Sequence, residues 1–291
     1  VIVPLDKPSG LTSADCVRRL GRAAGLKAGH AGTLDPGATG LLVVCFGESR
    51  KLVSILSGHD KLYRATLRLG ETTDTLDAWG RVVEERSVPH LDRESVTRAA
   101  RHFEGRIDQS VPAYSAVKRG GRSLHELARR GVDVQAPERE VVVHSIEIAT
   151  IEGNDVELEV SCGSGTYIRS LGRDIALELG TVGHIASLRR LACGSMRVDG
   201  AVGLDELLEA AREGRIEPHA LPHARALEGQ RLFEADEAAA EALRAGRFVD
   251  TQHIVERARG AEPAVVLGPD GRAVCIVRIE GSRMRPRRVL L

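Results

Sequence analysis

The alternation of apolar and polar positions is sharpest at 63–69. Tyr63, Ala65, Leu67 and Leu69 share one face there, and Arg64, Thr66 and Arg68 the other. A period of two is the signature of a half-buried strand. The same alternation predicts strands over 141–151 and 156–162, joined by the turn Glu152-Gly153-Asn154-Asp155. The unbroken apolar run 41–46 predicts a buried strand, residues 1–5 a short one, and 81–85 a partner for 63–69. Helical spacing predicts a helix capped by Thr12 or Ser13 and running to about Ala24, with Val17 and Leu20 on one face. Others are expected from Ser49 through Leu56, from Asp92 to about Phe103, from Thr166 to Leu179 before Gly180, and over 205–212. Segment 108–140 combines Pro112, Gly120-Gly121 and Pro137 with a short basic helix near 123–130. It reads as a long excursion from the core, and such excursions are usually functional or disordered. A shift in composition at 214–228, with Pro218, Pro222 and Gly229, predicts a domain boundary. Beyond it an Ala-rich helix near 236–245 and strands near 264–267, 273–279 and 288–291 make a small, mostly-β module.

Between the first helix and the 41–46 strand lies Gly29-His30-Ala31-Gly32-Thr33-Leu34-Asp35-Pro36-Gly37-Ala38-Thr39-Gly40. Glycines admit backbone angles and close approaches that other residues resist. Pro36 pushes Asp35 away from helical geometry. The segment therefore reads as a rigid loop presenting one acid at the edge of a core. Three assignments stay open: a structural turn whose Asp caps its own backbone, a phosphate cradle, and a catalytic carboxylate on a firm scaffold. The cradle is the weakest, since no Gly-Lys-Ser/Thr ends the pattern and no helix signal follows it.

Composition narrows the class. The chain has 291 residues, enough for one large domain and a small one, with ordinary apolar content. No apolar stretch nears the roughly 20 residues of a membrane span. The opening Val1-Ile2-Val3-Pro4-Leu5-Asp6-Lys7 is too short and too soon charged for a signal peptide, and without a Met it predicts that a few residues precede it. Cys16, Cys45, Cys162, Cys193 and Cys275 show neither zinc spacing nor a Cys-x-x-Cys pair. They are expected to be reduced core residues of a cytoplasmic protein. The 41 basic and 41 acidic residues cancel, so net charge gives no support to nucleic-acid binding. Their distribution fits an RNA-facing side and ordinary surface patterning equally: Lys118, Arg119, Arg122, Arg129 and Arg130 crowd one segment and Arg283, Arg285, Arg287 and Arg288 another, while 205–241 is acidic.

Few side chains stand out as partners for Asp35. Arg169 falls at a strand-to-helix junction after Gly163-Ser164-Gly165, where helix-start amides attract anions; on spacing alone an exposed Arg on the first turn is the favoured reading. Tyr63 and Tyr167 fit core tyrosines with the hydroxyl at the rim. His30 is a candidate base or ligand, but no second His lies at metal spacing; His125 and His184 read as surface or rim residues. With Trp79 as the one tryptophan, the chain has no row of stacking platforms. Any RNA would be read mainly through shape and phosphates, with one or two bases splayed and stacked.

Several ordered blocks resemble the TruB family of bacterial tRNA pseudouridine-55 synthases. They are Asp6-Lys7-Pro8-Ser9-Gly10-Leu11-Thr12-Ser13, the Gly29–Gly40 segment, Lys61-Leu62-Tyr63-Arg64-Ala65, Leu69-Gly70-Glu71-Thr72-Thr73-Asp74-Thr75 with Asp77, Pro112-Ala113-Tyr114-Ser115-Ala116-Val117-Lys118, Gly165-Thr166-Tyr167-Ile168-Arg169, and His184-Ile185-Ala186-Ser187-Leu188-Arg189-Arg190-Leu191. The resemblance implies an α+β fold: a mixed β-sheet flanked by helices over 1–226, with an RNA-binding insertion at 108–140, and a PUA-like module over 227–291. It implies cofactor-free and metal-free conversion of a T-loop uridine of tRNA to pseudouridine, with assistance to tRNA folding as a second activity. By position, Asp35 is the nucleophile, Arg169 its ion-pair partner and Tyr63 the residue that stacks on the base and takes a proton late. His30 supports the emptied RNA loop, Tyr167 and Leu188 line the uridine pocket, and Lys7 and Pro8 are structural. Lys118, Arg129 and Arg130 are the expected phosphate contacts. The partner is tRNA, with no guide RNA and no membrane, and the protein is expected to be a cytoplasmic monomer. Two departures are visible: Lys27 stands alone where the family often has more basic residues before Gly-His, and the C-terminal module is matched mainly by Arg285-Pro286-Arg287-Arg288-Val289.

Overall fold

The computed structural model describes residues 1–112, 114, 118–119, 122–123 and 137–290. Its contacts divide into two compact units, Val1–His59 with Ala192–Leu291, and Asp60–Leu191.

The first unit opens with β1 (Ile2–Lys7), α1 (Ser13–Ala24), β2 (Ala28–Ala31), β3 (Thr39–Phe46) and the short α2 (Val53–Ser57). Buried β3 pairs antiparallel with both β1 (Ile2 opposite Cys45) and β2 (His30 opposite Val44). The start of the Gly-rich segment is thus strand, not loop. Small Ala28, Gly29 and Ala31 conceal any alternation, and β3 supplies the ladder. Thr12, rather than Ser13, caps α1: its hydroxyl accepts from Asp15 N at 3.0 Å, and the Asp15 carboxylate accepts from Thr12 N at 3.3 Å. Ser49 caps nothing. Residues Gly47–Leu52 form a 3-10 turn, and the buried Ser49 hydroxyl lies 3.0 Å from His223 Nε2.

The second unit holds β4 (Lys61–Leu69), β5 (Glu71–Thr73), β6 (Val82–Glu85), α3 (Arg93–Arg101), β7 (Gly105–Ser110), the two-residue β8 (Lys118–Arg119) and β9 (Arg122–Ser123), β10 (Glu138–Glu152), β11 (Asp155–Cys162), α4 (Ile168–Glu178) and β12 (Gly183–Cys193). The strands run in the order β12-β4-β11-β10-β7. In β4 the burial alternates as expected, and Arg68 makes a two-pronged bond to Asp155 of β11 at 2.8 and 2.7 Å. Both edges of β4 are therefore taken, so β6 pairs with β5 instead. Strand β12 has no counterpart in the expectations, because its arginines mask it. Helix α3 starts on an Asp92–Ser95 capping box and packs on β10; α4 packs on β4 and β7. The basic helix expected near 123–130 lies outside the described residues, as does His125.

The chain then returns to the first unit with β13 (Met196–Arg197), β14 (Val202–Gly203), α5 (Leu204–Arg212) and α6 (His223–Ala226). Strand β14 runs parallel to β1, which makes the sheet mixed, and α5 packs on α1 and β1. The remaining β15 (Gln230–Ala235), α7 (Glu237–Arg244), β16 (Val249–Asp250), β17 (Ile254–Ala258), β18 (Ala261–Leu267), β19 (Ala273–Glu280) and β20 (Arg283–Val289) form a six-stranded sheet, β16-β20-β19-β18-β15-β17. Its own apolar core includes Phe233, Leu243, Ile254, Val266, Val277 and Met284. The fold is the expected one of helices flanking a mixed sheet, with a C-terminal β-module. All five cysteines are buried and unbridged.

Candidate active site

Asp35 sits half-buried at the first position of a tight turn, closed by Ala38 N donating to Asp35 O at 3.1 Å. Pro36 occupies the second position, where its fixed φ suits the turn. Clamps hold the backbone on both sides of the acid. On one side, Leu34 N donates to Ser13 Oγ at 2.8 Å, and that hydroxyl donates back to Leu34 O at 2.9 Å. On the other, the fully buried Lys7 Nζ donates to the carbonyls of Pro8 (2.8 Å), Pro36 (3.2 Å) and Ala38 (2.7 Å). An ammonium has three N–H donors, and three carbonyls receive them. Gly10, at φ +88°, brings its N–H to Pro36 O at 2.9 Å, and Ser9 Oγ donates to Gly37 O at 3.3 Å. One buried cation and one buried hydroxyl thus fix the backbone on either side of Asp35. Lys7 has the structural role expected of it; the bonds from Ser13 to Leu34 have no counterpart in the local sequence pattern, which offers Ser13 as a helix cap.

His30, on β2, lines a cleft of about 810 Å³ in the same unit. Arg18 and Arg22, one turn apart on α1, line it together with Lys27 and Arg50; apolar Val17 and Leu26 complete the floor, and no carboxylate is among the lining residues. A concave surface with four cations suits a phosphate backbone. The lone Lys27 noted in the sequence is thus joined by arginines from elsewhere in the chain.

In the second unit, Arg169 lies on the first turn of α4 but is only 4 % exposed, which rules out an exposed surface arginine. Its Nη1 donates to Thr75 O at 2.7 Å and its Nη2 to Tyr114 O at 3.0 Å, and Asp77 Oδ2 is 3.7 Å from Nη1. Asp77 also accepts from Thr75 Oγ1 at 2.6 Å and from Trp79 N at 3.0 Å. Its part in the arginine's setting was not singled out from sequence. Tyr167 precedes α4, half-buried, its backbone gripped by buried Gln109: Tyr167 N donates to Oε1 at 2.7 Å and Nε2 donates to Tyr167 O at 3.0 Å. Tyr63 is buried on β4 opposite Val160. Leu188 lies half-buried on β12, where Arg190 is 1 % exposed. His184, expected at the surface or rim, is instead 3 % exposed on the same strand with Nδ1 at 3.1 Å from Glu71 O. For Lys118 only the strand backbone is described, and Arg129 and Arg130 lie outside the described residues.

Residues 18–168 match the model described as TruB family pseudouridylate synthase (N terminal domain), and 169–228 that of the tRNA pseudouridylate synthase B C-terminal domain. A protein named tRNA pseudouridine synthase B from Xanthomonas euvesicatoria is 43 % identical over 295 residues, covering 99 % of this chain and 93 % of the relative. One of the same name from Syntrophobacter fumaroxidans is 39 % identical over 280 residues, covering 94 % and 92 %. Among solved structures, a chain of a Cbf5-Nop10-Gar1 complex is similar with a TM-score of 0.77 at 25 % identity, covering 100 % of this chain and 84 % of that one. A chain of an H/ACA RNP bound to a substrate RNA has the same fold, with a TM-score of 0.76 at 24 % identity.

Proposed function

The chain belongs to the TruB family of pseudouridylate synthases, and we propose that it converts a single T-loop uridine of tRNA, at position 55, to pseudouridine. In that reaction the N1–C1′ bond breaks and a C5–C1′ bond forms, while C5 loses a proton and N1 gains one. Asp35 is the nucleophile. A carboxylate that attacks and then leaves splits one hard step into two. The observation that carries this assignment is the double clamp of Lys7 and Ser13 on either side of Asp35, since a reacting group must be held close to its attack geometry. Arg169 supplies a buried positive charge, Tyr63 the surface on which the base stacks, and Tyr167 and Leu188 the walls of the uridine pocket. Flipping the nucleotide costs a few kcal/mol, which stacking of about 1–3 kcal/mol helps to offset. His30 supports the RNA loop that the base has left. The basic cleft beside His30 and the insertion residues Lys118, Arg129 and Arg130 hold phosphates.

The enzyme acts as a cytoplasmic monomer on tRNA alone, without a guide RNA. The catalytic domain spans 1–226 and the PUA-like RNA-binding domain 227–291. The test is incubation of purified protein with an unmodified tRNA transcript, free of metal and nucleotide, followed by mapping of pseudouridine. One modified T-loop position is expected; an unmodified transcript would overturn the proposal.

A further inference from the structure

Residues 73–81 form a loop that is over-determined and strained. Leu76 has φ +61°, the one positive value at a non-glycine among the described residues, in a region that a branched side chain seldom enters. Thr73 Oγ1 donates to Asp77 O at 2.6 Å, Arg81 N to Asp74 Oδ1 at 2.9 Å, and Ala78 N to Ile185 O at 3.1 Å. Gly80 is packed so closely that a Cβ would meet the Thr73 Cβ at 2.9 Å and collide with Asp74 and Thr75. Arg169 donates to this same loop at Thr75 O. Strain of this kind persists where surrounding structure enforces it, and it collects at functional sites.

What the loop presents is Trp79, the chain's single tryptophan, 63 % exposed. Its backbone N–H is tied to Asp77, so the indole leaves a fixed point. A large aromatic exposed on a rigid loop offers a fixed flat surface to a partner. Val82 and Val83 beside it are also exposed. Three apolar side chains are far short of the roughly 20–30 residues a side of a stable protein interface. Glu84, paired with Arg86 at 2.7 Å, and exposed Glu85 leave β6 with no net positive charge for a phosphate track. The uncharged face of a base fits both facts. We propose that Trp79 is a stacking platform for a splayed nucleobase of the substrate RNA, set by the loop that Arg169 braces. This rests on RNA being the substrate.

Because Trp79 is the only tryptophan, its fluorescence reports this contact alone. Titrating the full chain with an unmodified T-arm stem-loop should quench the emission with the same midpoint as binding followed by filter retention. Trp79→Ala should raise Kd and KM roughly 5- to 150-fold, the span of one lost base stack, and Trp79→Phe should restore most of it. Val83→Ser should bind as wild type. Unquenched emission on a wild type that still forms pseudouridine, with Trp79→Ala binding like Trp79→Phe, would overturn the proposal and leave the enzyme assignment standing. Wild type that neither binds nor modifies RNA overturns both. A Val83→Ser or Trp79→Ala effect on oligomeric state instead of RNA affinity would assign the patch to a second copy and refute base stacking.

Discussion

Replacing Lys7 by Met separates the positioning of Asp35 from the stability of the fold. The substitution keeps the length of the side chain and removes its three donors. Pro36 O retains the Gly10 N–H at 2.9 Å and Pro8 is exposed, so its carbonyl takes water; the buried carbonyl of Ala38 bears the loss. An unsatisfied buried carbonyl costs about 1–3 kcal/mol. Against this, a buried ammonium carries a desolvation penalty of several kcal/mol, which Met relieves. The two oppose each other, leaving a net destabilisation of no more than about 3 kcal/mol, within the stability of a domain this size. Catalysis has no such offset. A misplacement of about 1 Å at a reacting group costs on the order of 100-fold in rate. Lys7→Met should therefore remain folded by urea titration at the assay temperature and bind tRNA within a few-fold of wild type. Its single-turnover rate of pseudouridine formation should fall about 100-fold. A rate within threefold of wild type, in protein shown to be folded, would refute the clamp as the device that positions Asp35.

Two other expectations follow from the same structure. Reversing Arg18 and Arg22 together (to Glu) should weaken tRNA binding and flatten its salt dependence, since each lost phosphate contact removes roughly one unit of slope; unchanged affinity at low salt would show that the cleft beside His30 is not on the RNA path. Burial holds the His223 imidazole down at about 4, and its Nδ1 accepts from Ala273 N at 2.7 Å, which suits the neutral ring. The unfolded chain, titrating near 6.5, binds more protons between those values, so this contribution is complete above about pH 6.5 and is lost as pH falls toward 4, at most about 3 kcal/mol. His223→Gln should give a shallower loss of stability over that window in urea titrations, and equal slopes would contradict the assignment.

The legible parts of the fold were those whose signal is local. The alternation in 63–69 survives because one face of β4 meets the core and the other does not. The caps at Thr12 and Asp92 are written within four residues of chain. Strand β12 was illegible because a fully buried arginine, Arg190, breaks the pattern of apolar inside and polar outside. At the site, Asp35 was visible as a motif and its rigidity was not. Lys7 reaches Ala38 across 31 positions and Ser13 reaches Leu34 across 21, and no window on the sequence contains both ends. The same holds for Arg169, whose partners at Thr75 and Tyr114 lie 94 and 55 positions away. Local pattern finds an element; the contacts that make it a site come from the fold.

Asp35→Asn tests the central claim most directly, because it keeps the size and the turn and removes the nucleophile. Unmodified tRNA would be incubated with excess wild type or variant and its T-loop mapped for pseudouridine, with binding measured in parallel. The prediction is full conversion by wild type and none by Asp35→Asn at an affinity within a few-fold. Conversion by the variant would contradict the account.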